Sequence, residues 1–217
     1  MLCAATTTAT VGTYNFSCSE TDYLRHGENY LGSMRSSMAG TQFHLYDYGI
    51  SRSEGGEILG KDMARQQQAL LVYKTNVMGR VPNAMSIVLP KPGVTTTYYD
   101  EETTGSSGEK VMDVNGSMMY KAYSSKKEKD KFVVLETKKP RWNPKMEAWT
   151  MDFKGRAKLA SKKNFQLVDV NDSDDRLLML FGKMTKNRWC LDYAPPMNPL
   201  KCLFVALTAF SSKLAVT

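Results

Sequence analysis

The last twenty residues constrain this chain most: wound as a helix, residues 199–214 are apolar on nearly every side. Asn198 is a natural N-cap, and Pro199 suits a first helical position, where its missing N–H costs nothing and its fixed φ is already helical. Leu200, Cys202, Leu203, Phe204, Val205, Ala206, Leu207, Ala209, Phe210 and Leu214 then surround the axis, and a helix of that kind has to be buried all round. At about 22 Å it is too short to cross a bilayer. It is expected over 198–215 as the filling of a β shell, with Phe204, Leu207 and Phe210 packed against inward strand residues.

The rest of the chain alternates. Trp149, Met151 and Phe153 interleave with Thr150, Asp152 and Lys154, and Trp189, Leu191 and Tyr193 with Arg188, Cys190 and Asp192, the period of a half-buried strand. By this pattern Trp149 points inward. Met85, Ile87 and Leu89, and then Phe165 and Leu167, repeat it, and further strands are expected at 14–19, 43–48, 70–75, 118–123, 132–137 and 177–183. About a dozen short strands separated by Gly, Asn, Pro or charged turns predict an all-β sandwich or barrel. Residues 51–60 and 100–116 read as loops, 126–131 as a solvated turn, and 1–12 as a disordered lead. At 217 residues the whole is expected to be one domain and a monomer.

The formal net charge is +7, and it is unevenly placed: residues 121–163 hold 14 Lys or Arg against 5 Asp or Glu, leaving 15 against 17 elsewhere. Such a block favours an anionic partner. Tyr123, Phe132, Trp142 and Trp149 lie within it, which makes nucleic acid a rival partner through backbone tracking and base stacking. The inward assignment of Trp149 argues against that alternative. Cys3, Cys18, Cys190 and Cys202 show no C-x-x-C spacing and only His26 and His44 are available beside them, so neither a metal cluster nor a cofactor is expected. No secretory signal is visible, which predicts an intracellular chain with reduced thiols. No nucleophile elbow, P-loop, zinc-protease or dinucleotide motif occurs, and an enzyme is not expected.

The closing segment Phe204-Val-Ala-Leu-Thr-Ala-Phe-Ser-Ser-Lys-Leu-Ala215 resembles the terminal signature of the tubby C-terminal domain family. Gly27-Glu-Asn-Tyr-Leu-Gly32, Gly40-Thr-Gln-Phe43, Tyr46-Asp47, Tyr73-Lys-Thr-Asn-Val-Met-Gly79, Pro140-Arg-Trp-Asn143, Phe153-Lys-Gly-Arg156, Ala160-Ser-Lys-Lys-Asn-Phe-Gln166 and Phe181-Gly182 match it in order, across almost the whole chain. The resemblance implies a closed barrel of roughly twelve strands around the C-terminal helix. It also implies a membrane-tethering adaptor that binds phosphoinositide headgroups, peripheral at the cytosolic face of the plasma or ciliary membrane. Carriage of membrane proteins into cilia, with transport machinery or a G protein as partner, is the family setting. The match starts near Met1, so the N-terminal extension that binds transport machinery in the family is expected to be absent.

By the same resemblance, phosphates are held by a Lys-x-Arg pair and a distant arginine. Here those positions are Ser33, Arg35 and Arg65, and a family asparagine contact falls on Thr13. Ser33 and Arg35 lie two apart on an extended segment and leave the same face. Lys74 is a substitute cation for the one lost at Ser33. Lys154, Arg156, Lys158, Lys162 and Lys163 are a candidate second basic face.

Overall fold

Alternation builds one large sheet. In the computed structural model, which describes residues 1–6, 13–25, 27–37, 39–50, 63–74, 84–96, 102–104, 110–112, 117–125 and 129–211, ten strands pair in antiparallel succession. These are β1 (Cys3–Thr6), β2 (Tyr14–Ser17), β3 (Tyr30–Ser36), β4 (Gln42–Asp47), β5 (Gln67–Tyr73), β6 (Met85–Pro90), β9 (Phe132–Thr137), β12 (Phe165–Asp169), β13 (Leu177–Lys183) and β14 (Trp189–Tyr193), hydrogen-bonded in that order. Two short ribbons stand apart, β7 (Glu102–Thr104) with β8 (Lys110–Met112) and β10 (Arg141–Asn143) with β11 (Ala148–Thr150). Among the described residues β1 and β14 do not pair with one another, so the expected closed barrel is replaced by a sheet with two edges. Cys3–Thr6, expected in a disordered lead, pairs with β2 as the first of those edges.

The sheet is nevertheless strongly curved. Phe16 on β2 and Met179 and Phe181 on β13 belong to one buried cluster, with Met34, Leu45, Leu71, Ile87, Leu135 and Leu167 between them. Tyr73 on β5 bonds Thr208 and Phe181 on β13 packs against Phe210 two residues later, although those strands would stand about 19 Å apart in a flat sheet.

Helix α2 (Pro199–Thr208) contributes Cys202, Phe204, Val205 and Ala206 to that cluster. Its start is as the residue chemistry requires: Asn198 has extended backbone and its side chain accepts from the Lys201 N–H at 2.9 Å, with proline at the first helical position. Helical hydrogen bonding ends near Thr208, short of the expected 215, and residues 212–217 lie outside the described set. Burial is also narrower than expected. Phe204 is fully buried, but Leu207 is only half-buried and Phe210 is 47% exposed, packing edge-on against Phe181 and Trp189 beyond the helix end. One polar contact ties the helix to the sheet. Thr208 spends its hydroxyl proton on the Val205 carbonyl at 2.8 Å, so Tyr73 is the donor in their 3.0 Å contact. Burial pushes the Tyr73 phenol up to about 12, consistent with its staying protonated as that donor.

Residues 118–123, expected as a strand, are helical: α1 (Met118–Ser125) lies on the outer face of the sheet. Ser117 caps it, its Oγ accepting from the Tyr120 N–H at 3.1 Å. Met119 and Ala122, three apart, then meet Leu70, Val88 and Phe132 in a second buried cluster. The outer face is thereby divided: apolar under α1 on β5, β6 and β9, polar on β2 to β4. Of the expected loops, residues 51–60 lie outside the described set, and 100–116 contains β7 and β8.

Candidate functional site

Register decides which side chains meet on the polar half of the outer face. Met34 is in the core, so its neighbours Ser33 and Arg35 turn outward. Ser33 stands opposite Asn15 on β2 and Tyr46 on β4, and Arg35 stands opposite His44. Thr13 immediately precedes Tyr14, whose partner is Met34, which brings Thr13 to the flank of Arg35. The Arg35 guanidinium leans diagonally, 5.9 Å from the centre of the Tyr46 ring, a cation–π arrangement that fixes its direction along the sheet.

Beneath it the floor is polar and buried. The ring of His44 stacks on that of Tyr46 with centroids 6.2 Å apart. Gln67 approaches His44 Nδ1 with its Nε2 at 2.9 Å, and its Oε1 accepts from the Ser117 hydroxyl at 2.7 Å. An amide donor at Nδ1 places the imidazole proton on Nε2. Burial holds the His44 pKa down to about 4, so the ring is neutral near pH 7 and adds no repulsion to the arginine beside it.

Arg65 is placed differently from Arg35. It is 1% exposed, with Nε donating to the Gly49 carbonyl at 3.2 Å, so it is a buried arginine and not a surface one. Asp47 shapes this corner: its Oδ1 accepts from the Gly49 and Gln66 N–H groups at 3.0 and 2.9 Å, and its Oδ2 from the Gln68 side chain at 3.0 Å. Arg65→Ala would remove a buried stem and a charge-assisted hydrogen bond together. We expect a loss of about 2–4 kcal/mol in urea unfolding, where an exposed arginine would cost almost nothing.

Ser33, Arg35 and Thr13 are therefore brought together, and Arg65 lies toward the end of the sheet to which Arg35 leans. Lys74 is not part of the group. It follows β5 whereas Arg65 precedes it, a separation of roughly 25–30 Å along the strand, and its Nζ is held by Glu136 at 2.8 Å. Ser33 itself is only 5% exposed, so a ligand meets the Arg35 side chain before the serine hydroxyl. Asn15, His44, Tyr46, Asp47 and Gln67 support the cluster without having been singled out. Tyr46 and Asp47 lie in a family motif; Asn15 and His44 follow only from the strand register opposite Ser33 and Arg35, and Gln67 only from its pairing with Tyr46.

The second basic face is largely paired within itself. Lys154 meets Asp152 at 2.6 Å, Arg156 makes two bonds to Asp192 at 2.6 and 2.5 Å, and Lys163 donates to the Ala209 carbonyl at 3.0 Å. Among its members Lys158 and Lys162 are left exposed. No cluster of metal-binding side chains occurs among the described residues, and Cys3, Cys18, Cys190 and Cys202 are free thiols.

A strongly curved antiparallel sheet, a capped apolar helix against its inner face and an arginine-centred polar patch outside define a tubby-type β domain. The Tub family model matches residues 1–212, and the chain belongs to that family. It is 32% identical over 203 residues to Tubby-related protein 3 of Homo sapiens, covering 93% of this chain and 43% of that protein. It is 33% identical over 207 residues to Tubby-related protein 1 of Mus musculus, covering 93% and 35%. With Protein king tubby 1 of Aedes aegypti the identity is 32% over 204 residues, covering 93% and 45%. The chain thus spans less than half the length of these relatives.

Proposed function

We propose that this chain binds phosphoinositide headgroups and thereby tethers itself to the cytosolic face of a membrane, with delivery of membrane proteins to the cilium as the setting. The observation that carries the reading is the outward pair Ser33 and Arg35 on β3, with Arg35 aimed across Tyr46 on a rigid strand. A planar guanidinium on such a support recognises phosphate through a bidentate fork at little entropic cost. With His44 neutral beneath it and Thr13 uncharged beside it, Arg35 is the cation that this stretch of β3 presents.

The test is sedimentation with vesicles carrying single phosphoinositides, against phosphatidylcholine alone. Arg35→Ala is expected to weaken binding by about fivefold to tenfold with thermal stability nearly unchanged. Ser33→Lys is expected to strengthen it, with a gain that shrinks as salt rises. Arg65 variants are to be compared per folded molecule, because that residue also supports the fold. Equal binding of parent and Arg35→Ala at every headgroup would refute the assignment.

A further inference from the structure

The β10–β11 ribbon carries two large apolar side chains on the outside of the molecule, which Trp149 was expected not to do. Trp142 and Trp149 stand directly opposite one another, edge to face with centroids 5.6 Å apart, and they are 52% and 46% exposed. Between them the chain turns through residues 144–147, where Met146 is 66% exposed. The ribbon pairs with no strand of the main sheet. It is nonetheless held in place on both sides: Lys138 N–H donates to the Gln166 carbonyl at 2.8 Å, and Gln166 Nε2 donates to the Asp152 carbonyl at 2.8 Å. An anchored hairpin with an uncovered tryptophan pair is an unusual surface for a folded domain.

We propose that this hairpin is a lipid-insertion element: Trp142, Trp149 and Met146 enter the headgroup and acyl boundary of a bilayer, while Lys139, Arg141 and Lys145 contact anionic lipid around them. Charge complementarity favours that occupant. Those three cations are exposed and, among the described residues, form no ion pair, and Glu147 is the one acid within the hairpin. Indole prefers the membrane interface, where its ring is apolar and its N–H remains wet. Placement points the same way, since all three apolar side chains lie uncovered together on one two-stranded ribbon and its turn. Planes inclined at 70° also offer no parallel pair of platforms for successive nucleic-acid bases. The proposal rests on the membrane reading above but assigns a contact separate from Arg35, one that needs anionic lipid and no particular headgroup.

The experiment uses the full chain in a Trp189→Phe background, so that emission comes from Trp142 and Trp149 alone. Vesicles contain phosphatidylcholine and phosphatidylserine, with or without phosphatidylinositol bisphosphate, and a matched set carries brominated acyl chains. We expect a blue shift on binding and quenching by bromine in both lipid mixtures. Partitioning should fall roughly tenfold for Trp142→Ser or Trp149→Ser, and further for both. Met146→Asp, which leaves the tryptophan pair intact, should also weaken it, with thermal unfolding as the control for folding. Arg35→Ala should reduce only the phosphoinositide-dependent increment. If that increment is absent while quenching persists, headgroup recognition fails and insertion stands. The proposal is overturned if vesicle-bound protein shows no bromine quenching, or if the double tryptophan variant partitions like the parent. Loss of single-stranded DNA binding in that variant, with vesicle partitioning intact, would overturn it in favour of base stacking.

Discussion

Phe204→Ala is expected to lower the free energy of unfolding by about 3–5 kcal/mol, a large share of the stability of an ordinary domain. Phe204 is fully buried, and Cys202, Val205 and Ala206 on the same helix lie in the same cluster as residues from β2 through β13. Truncation removes the transfer free energy of the ring and leaves a cavity that a curved sheet, held by its hydrogen-bond register, cannot collapse to fill. Leu207→Ala, at a half-buried position, should cost markedly less, and Phe210→Ala less again. The measurement is urea unfolding followed by far-UV circular dichroism, with the midpoint falling and the slope unchanged. A loss under about 1 kcal/mol for Phe204→Ala would mean that α2 is an accessory and not the centre of the core. A chain ending at Asn198 should lose cooperative unfolding altogether.

The helix was readable because its signals are local: an Asn cap, a proline at the first position and an apolar ring need no knowledge of the rest of the fold. Strands at 132–137 and 177–183 were readable to the residue for the same reason, since β9 and β13 carry clean runs between charged turns. Met118–Ser125 was misread because six residues rich in Met, Tyr and Ala fit either period, and the deciding feature is the cap at Ser117. Trp149 shows the limit of alternation. The period of two says that Trp149 and Met151 share a face, but not whether anything covers that face, and the ribbon lies off the sheet. Arg65 shows another limit: its burial depends on Gly49, sixteen residues away, and on the Asp47 carboxylate that shapes the corner. Closure is likewise a property of the two edges, which no segment reveals by itself.

Gly32→Ala is the second large effect expected, and it joins the fold to the candidate site. Gly32 lies on β3 beside Ser33, opposite Phe16 and Asp47, at φ +148°. It adjoins an irregularity in which Phe16 faces Gly32 and Ser17 faces Tyr30, so Leu31 is the extra residue of a β-bulge. A Cβ built at Gly32 would collide with the Tyr46 carbonyl oxygen and come within 3.2 Å of the Asp47 Cα. Both obstacles are backbone, so no side chain can swing aside. Backbone strain at such a φ and overpacking each cost about 1–3 kcal/mol, which puts the substitution at about 2–6 kcal/mol by urea unfolding. Gly93 separates the two causes: its φ is +82° but a Cβ there meets nothing within 4 Å, so Gly93→Ala should show strain without collision and cost less. Relief of the collision at Gly32 requires β3 and β4 to separate, which draws Ser33 away from Tyr46 and Arg35 away from the ring it lies over. Headgroup binding by Gly32→Ala, measured per folded molecule, should therefore fall as in Arg35→Ala, although no ligand-contacting atom has been removed. Unfolding within about 0.5 kcal/mol of the parent would show that the strands part freely at this point, and normal binding with lowered stability would show that the site does not depend on their spacing.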